Sequence, residues 1–318
     1  MKTLLKLALT LALVVTSACK DKAQPPAGAP SAPAGSASPA GSASPAGSAA
    51  PAGSAAPAAP AGSAAPAAPA GSAAPSGGLT FPRDVPKVGD KVTKAEQMSM
   101  TLTIGTGPEL QMTKEATATR EVLEVTDEVF TKAKLGYPVR KETQTMGGKS
   151  KDKPSPLAGK TYLVSRKDGV TSATYADGGA IPDDELKALL RDNKSFGKPN
   201  AMDRIVAKKT WNVNEKVVFS PEELAELNKQ NEESGSDERF TALALTLSGV
   251  DAGVATMALA MTMAMKSEKG EMEMALDGNL RVDVARGRLL EASGKGPVKG
   301  NLGQPLTGTV TMKTVYSY

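Results

Sequence analysis

Apolar and polar residues alternate along much of residues 79–318, and this period of two is typical of antiparallel strands with one buried face. The clearest run covers residues 98–104, and a turn at 105–108 separates it from a second alternating run. Within residues 162–175, the central pair Asp168-Gly169 favours the positive-φ turn of a β-hairpin. Further strands are predicted over residues 128–136, 139–145, 240–248, 254–265, 271–284, 288–293 and 308–317.

Two helices are predicted to interrupt the strands. Ser220 precedes a proline and lies three residues before Glu223, which is the pattern of a capped helix N-terminus. A second helix is predicted to begin near Pro182, and the acidic residues at both helix starts are interpreted as capping and helix-dipole charges. Residues 252–266 are rich in Ala and Met, which favour helices, but their strict alternation predicts a strand. About eleven strands and two helices predict an α+β fold, mainly a large curled antiparallel sheet or open half-barrel.

Residues 1–22 have the composition of an export signal. Two lysines precede an apolar run over residues 7–15, which only Thr10 interrupts, and a small-residue segment then ends at Cys19. This order predicts a secretory signal peptide that is cleaved between Ala18 and Cys19. The apolar run is about half of the roughly 20 residues that a transmembrane helix needs, so we do not expect it to remain as a spanning anchor.

The sequence Val15-Thr-Ser-Ala-Cys19 resembles the lipobox of bacterial lipoproteins. The resemblance implies that residues 1–18 are removed and that diacylglycerol is attached to the Cys19 thiol, so that acyl chains such as palmitate hold the protein on a membrane. An ordinary secreted protein with a cysteine near its cleavage site is the alternative. Lys20 favours the outer over the inner membrane in the lipoprotein sorting rule, with the domain on the periplasmic or the surface face. We therefore expect a lipid-anchored protein of the cell envelope.

Residues 23–78 consist almost entirely of Pro, Ala, Gly and Ser and carry no charge. No side chain in this stretch is large enough for its burial to offset the entropy of ordering the backbone, so the stretch is predicted to be disordered. We interpret it as a spacer, and tolerated repeat slippage is the alternative. The predicted domains are therefore the signal peptide at 1–18, a lipid-anchored linker at 19–78 and a β-rich globular domain at 79–318.

Composition excludes several function classes. The chain has no histidine and one cysteine, which excludes Ser-His-Asp and Cys-His nucleophile systems, an HExxH zinc site and an intrachain disulfide. Of 38 basic and 34 acidic residues, four lysines and one aspartate precede residue 79, which leaves 34 basic and 33 acidic residues in the domain. This balance argues against a nucleic-acid partner.

Methionines recur at alternate positions of the predicted strands, so each group lies on one strand face. Core packing is the first interpretation, and Cu(I) binding by thioethers is a weaker one because no histidine is available. A third interpretation is a deformable apolar face for a lipid or another hydrophobic ligand. This candidate ligand face consists of Met98, Met100, Met257, Met261, Met263, Met265, Met272 and Met274.

Catalytic motifs are incomplete. Ser150-x-x-Lys153 and Ser195-x-x-Lys198 match the Ser-Lys pattern of penicillin-binding enzymes, but the SDN and KTG partners are absent. At fold level, the strand count resembles the unclosed β-barrels that carry lipoproteins in the bacterial envelope, whose concave face holds acyl chains under a helical lid. The leading hypothesis is a membrane-anchored lipoprotein with a non-catalytic, cofactor-free domain that binds a lipid, another hydrophobic ligand or an envelope protein. A hydrolase with carboxylate or Ser-Lys chemistry and a wall-associated structural module are the alternatives.

Overall fold

The computed structural model describes residues 78–267 and 270–318, so the predicted signal peptide, Cys19 and nearly all of the predicted linker lie outside the described residues. The strands are β1 (Lys91–Ile104), β2 (Leu110–Thr126), β3 (Val129–Met146), β4 (Lys149–Pro154), β5 (Lys160–Lys167), β6 (Val170–Tyr175), β7 (Lys216–Val218), β8 (Glu238–Asp251), β9 (Val254–Ser267), β10 (Gly270–Asp283), β11 (Arg288–Asn301) and β12 (Pro305–Ser317). The helices are α1 (Asp183–Asp192), α2 (Ala201–Ala207) and α3 (Pro221–Glu233).

These twelve strands form one open sheet in the order β6-β5-β3-β2-β1-β12-β11-β10-β9-β8-β7, with β4 paired to β3. All pairs of named strands are antiparallel. Most neighbours in the sheet are also neighbours in the sequence, but the β1–β12 pair joins the first strand to the last. The predicted α+β fold, dominated by a curled antiparallel sheet, is confirmed.

Tight turns set the register of the hairpins. Asp168 and Gly169 have φ values of 48° and 80° between β5 and β6, which confirms the predicted turn. The turn from β2 to β3 has the same geometry, with φ values of 50° and 61° at Asp127 and Glu128. Glutamate rarely adopts positive φ, so the residue types alone do not indicate that second turn.

The strand β3 runs without interruption through Pro138, whereas the sequence analysis predicted separate strands at 128–136 and 139–145. The register of the β2–β3 pair shifts between Thr117 and Thr119, so Pro138 lies beside a bulge, where a missing N–H is tolerated. The short elements β4, α2 and β7 were not predicted, because each has too few residues to show a clear period.

Glycines allow close backbone approach between β10 and β11. A Cβ atom added at Gly296 would lie 1.7 Å from the carbonyl oxygen of Ala275, and one at Gly278 would lie 1.9 Å from that of Ser293. No larger residue fits at either position without separating the two strands.

The predicted capping box of α3 is present. The Ser220 hydroxyl accepts from the Glu223 N–H, and the Glu223 carboxylate accepts from the Ser220 N–H at 2.9 Å. In α1, by contrast, Glu185 is not an exposed capping charge. It is 4% exposed and accepts hydrogen bonds from the Tyr162 hydroxyl and the Lys160 ammonium.

Two apolar clusters lie on the sheet. The main core combines the inner faces of β1, β2 and β8–β12 with α2, α3 and the buried indole of Trp211. The second core joins β2, β3 and β5 to α1, where Leu189 is fully buried and Phe130 meets Phe196 edge to face at 5.0 Å. The alternating pattern of each strand therefore supplies one face to a core.

Glu238, at the start of β8, is an exception on this apolar face. It is 1% exposed, and neither carboxyl oxygen has a hydrogen-bond partner within residues 78–267 and 270–318. Burial raises the pKa of this carboxyl well above its usual range. The unfolded chain releases the proton near the ordinary pKa, whereas the folded chain retains it. Each further pH unit therefore destabilises the fold by about 1.4 kcal/mol until the folded-state pKa is reached.

We expect Glu238→Met to stabilise the fold, with a gain that is larger at about pH 8 than at about pH 5, because the variant has no carboxyl to keep protonated. Urea titrations at the two pH values measure the free energy of unfolding. Glu273→Met, at an exposed position of β10, controls for the loss of a surface glutamate. A gain from Glu238→Met that does not grow with pH would contradict the prediction.

Candidate functional site

A cavity of about 730 Å³ lies between the two cores. Its wall includes Phe130, Leu135 and Phe196 of the second core and Leu289 of the main core. The volume is within the roughly 300–1,000 Å³ typical of small-molecule sites. This is the candidate functional site.

The cavity occurs where the inner face of the sheet changes from apolar to polar. On β1 the inner positions Met100 and Met98 are followed by Glu96 and Lys94. The change continues across β12, because Met98 lies opposite Met312, Glu96 opposite Thr314 and Lys94 opposite Tyr316. Lys114 and Arg120 occupy inner positions of β2 in the same way. Charged side chains thus stand on a sheet face whose continuation is a methionine-rich core.

Most charges in the cavity are paired. Glu96 lies between the ammonium groups of Lys94 and Lys114, the latter at 3.8 Å, and Arg140 pairs with Asp192 at the end of α1. Burial lowers the pKa of Lys94, although Glu96 opposes this effect. These side chains are held in fixed positions by their partners.

Two buried donor groups in the wall have no such partner. Arg120 Nε and the Tyr316 hydroxyl make no hydrogen bond to any residue that the structure describes. The Arg120 guanidinium lies over the Phe130 ring, with its central carbon 4.6 Å from the ring centroid. The wall therefore combines aromatic surface with unused hydrogen-bond donors.

The segment 193–200, between α1 and α2, forms one wall of the cavity. Asn193 donates to the Tyr137 hydroxyl at 2.8 Å. Lys194 and Lys198 donate to the carbonyl oxygens of Gly235 and Glu233, at or just beyond the C-terminal end of α3, at 3.4 and 3.1 Å. Cations are favoured at that end of a helix. The segment is thus held at the sheet and at α3.

A second group of ionic contacts lies at another side of the cavity, around Arg288. Arg288 donates to Asp84 and Asp90 at 2.8 Å each and lies over the Tyr318 ring at 4.8 Å. Tyr318 in turn donates to the carbonyl oxygen of Leu289 at 3.1 Å. These contacts join the segment before β1 to β11 and to the residue after β12.

The lining is mixed in charge, with ten basic and seven acidic residues. The excess of cations is small, and apolar and aromatic side chains line the same cavity. A ligand with an apolar body and a negative group would match both features.

The eight methionines of the candidate ligand face are all buried, between 1% and 6% exposed, and all belong to the main core. None of them lines the 730 Å³ cavity. The cavity instead continues from Met98 along the same strand faces. Whether the methionines ever contact a ligand stays a prediction, as do the roles of Ala18 and Cys19, which lie outside the described residues.

Sequence reasoning missed the residues of the cavity, although a signal was present. Lys94 and Glu96 are an even number of residues away from the methionines at 98 and 100. Alternation alone therefore places these charges on the same, buried face of the strand. Arg120 is likewise an even number of residues away from the buried Leu110 and Met112 on β2, so it belongs to the same face.

The residues of the Ser-Lys motifs are not brought together as a nucleophile and base. Ser150 and Lys153 stand three residues apart on β4, hence on opposite faces, and Ser150 bonds the Thr145 hydroxyl at 2.8 Å. Ser195 and Lys198 both line the cavity, but Lys198 Nζ donates to Glu233.

Residues 78–267 and 270–318 contain no helix that is long and apolar enough to cross a membrane. Across those same ranges, no three His, Cys, Asp or Glu residues are grouped so that they could hold a metal ion.

No model of a known protein family matches the chain, and no curated protein sequence matches it. Among solved structures, the sheet is weakly similar to a structure described as lipid-protein interactions in lipovitellin, with a TM-score of 0.36 and 6% sequence identity. The match covers 72% of this chain but only 25% of the lipovitellin chain. Similarity of this degree does not identify a function.

We expect Met100→Ala to lower the free energy of unfolding by about 2–5 kcal/mol, because it removes a fully buried side chain from the main core. Met146→Ala, at a position that is 51% exposed, serves as the control and is expected to change it by less than about 0.5 kcal/mol. Urea titration measures both. Similar small effects at the two positions would show that Met100 does not pack as the structure indicates.

Proposed function

We propose that this protein is a lipid-anchored lipoprotein of the cell envelope whose β-rich domain binds a hydrophobic ligand without catalysing a reaction. The observation that carries the binding part is the cavity of about 730 Å³ between the two cores. The anchoring part rests on the lipobox-like sequence that ends at Cys19. The two parts are tested separately.

Apolar and aromatic side chains provide the surface for such a ligand. Val92, Phe130 and Leu289 line the cavity and are each less than 10% exposed. The Tyr316 and Tyr318 rings, also in the wall, stack with their centroids 6.3 Å apart. Burial of a ligand against this surface is favourable at roughly 25 cal/mol per Å² of apolar area removed from water.

The polar groups of the cavity support binding better than catalysis. Lys94, Lys114 and Arg140 form ion pairs with carboxylates, and Lys198 is bonded to a helix carbonyl. A general base or a nucleophile would need a group within hydrogen-bond reach whose own proton is available. We therefore favour a carrier or sensor over the hydrolase alternative.

The proposed anchor and linker give the domain freedom above the membrane. The 56 residues at 23–78 would span roughly 40 Å as a random coil. This reach allows the cavity to exchange a hydrophobic ligand with the anchoring membrane or with another partner in the envelope.

Filling the cavity should abolish binding. Ala118 lies on the inner face of β2 in the cavity wall, so Ala118→Phe places a ring where the ligand would lie. The measurement is titration of the full chain carrying Cys19→Ser with N-phenyl-1-naphthylamine, an uncharged dye that fluoresces in apolar surroundings. We expect Ala118→Phe to weaken dye binding by about tenfold or more.

Thr113→Phe is the matched control, because Thr113 is an exposed residue on the outer face of the same strand. This variant is expected to bind the dye like the unaltered chain. Far-UV circular dichroism establishes that both variants are folded. Equal dye binding by the two phenylalanine variants, or no binding by the unaltered chain, would remove the cavity as the ligand site.

Anchoring is tested in cells that export the full chain. Replacing Cys19 with serine removes the thiol that would receive diacylglycerol, so we expect loss of acyl labelling and release of the protein from membranes. Ser17→Ala leaves the cysteine in place and serves as the control. If the Cys19→Ser variant stays on membranes at the level of the unaltered chain, the lipid anchor is refuted.

A further inference from the structure

The half-buried Arg120 differs from Arg288, the buried arginine at the start of β11. Arg288 has a carboxylate at 2.8 Å from two of its nitrogen atoms. Arg120 has no ion pair with any of the residues that the structure describes, and its Nε has no acceptor there. A guanidinium has five N–H donors and cannot lose its charge in a protein. The Nε donor of this half-buried arginine is therefore free to bind an acceptor supplied by a ligand.

The aromatic contact does not meet that demand. The Phe130 ring lies against the face of the Arg120 guanidinium at 4.6 Å, whereas hydrogen-bond acceptors approach a guanidinium in its plane. The in-plane donor Nε therefore stays available while the ring holds the group in position. Burial lowers the pKa of Arg120, although the nearby Tyr318 and Asp84 oppose this effect.

Tyr316 is positioned to act with Arg120. Lys94 on β1 lies opposite Ala118 of β2 and opposite Tyr316 of β12. Arg120 is the next residue of β2 after Ala118 whose side chain lies on the inner face. The backbones of β2 and β12 are therefore about 10 Å apart at this point, with β1 between them. Side chains as long as arginine and tyrosine can approach one small group from both sides across that distance. Burial raises the pKa of Tyr316 well above its usual range. The hydroxyl therefore keeps its proton and can donate a hydrogen bond to an acceptor.

We propose that Arg120 and Tyr316 bind the anionic head group, a carboxylate or a phosphate, of a single-chain amphiphile whose apolar chain lies along the aromatic and aliphatic wall of the cavity. This proposal rests on the proposed function and names the chemical class of the ligand. The head group supplies the acceptors that Arg120 Nε and the Tyr316 hydroxyl lack. Phe130, Val92 and Leu289 supply the apolar surface on which the chain lies.

A free inorganic anion would satisfy the same two donors, so the test must separate the two sources. An inorganic ion would leave the apolar wall uncovered, whereas an amphiphile uses both parts of the cavity. We therefore expect an acyl chain to contribute to affinity, and inorganic phosphate alone to compete weakly.

The experiment compares dodecanoate, dodecanol and inorganic phosphate as competitors of N-phenyl-1-naphthylamine on the full chain carrying Cys19→Ser. Dodecanoate and dodecanol share one chain and differ in charge. We expect dodecanoate to displace the dye at a concentration about tenfold or more below that needed for dodecanol. In Arg120→Gln this ratio should fall to about one, because the charge-assisted hydrogen bonds are lost.

Tyr316→Phe is the second variant, and it deletes only a hydroxyl that has no partner among the described residues. Removal of such a group does not destabilise a fold, so the variant remains informative if Arg120→Gln unfolds. We expect the ratio to fall about threefold or more in Tyr316→Phe. Arg204→Gln, at an exposed arginine of α2 outside the cavity, should leave the ratio unchanged.

The outcomes separate the two proposals. If the dye and both amphiphiles fail to bind, the proposed function itself is wrong. If dodecanoate and dodecanol bind equally well, or if the ratio persists in Arg120→Gln and Tyr316→Phe, the cavity binds apolar ligands but the head-group proposal is overturned. Competition by inorganic phosphate as strong as that by dodecanoate would also overturn it, in favour of a free-anion site.

Discussion

One face of every long strand must be removed from water, and the rest of the structure depends on this constraint. Strands β8–β12 each bury alternate residues, so a slip of one residue in any pair would turn an apolar row outward. The sheet cannot cover its own inner face completely. The helices α2 and α3 and the indole of Trp211 complete the main core, and α1 completes the second.

The cavity exists because the two cores do not meet. Between them the inner face carries Lys94, Glu96 and Lys114, which cannot pack as methionines do and are held in ion pairs instead. Charged residues here occupy positions on the buried face, where apolar residues are expected. In natural proteins such conflicts are concentrated at functional sites. The same sheet thus carries a methionine-rich core and, on the same strand faces, a cavity lined by charged side chains.

Much of the fold could be predicted from the sequence, because its signals are local. Alternation identified β9 despite its Ala- and Met-rich composition, and the capping box of Ser220 marked the start of α3. The candidate site could not be predicted in the same way. Arg120 and Tyr316 line the same cavity only because β1 pairs with both β2 and β12, and no pattern within a short window contains that pairing. Alternation in the sequence places Lys94 on the inner face, but it does not indicate which residues of other strands lie beside it.

The β1–β12 pair also determines when the site can form. Lys94 and Tyr316 lie opposite each other although they are 222 residues apart in the sequence. Most other strand pairs close short hairpins, which form fast, whereas a long-range pair must first meet the entropy of closing a large loop. The cavity walls belong to both halves of the sheet, so they come together only when this long-range pair forms. A ligand that contacts both walls of the cavity can bind only after that step, so its binding would report the completed fold.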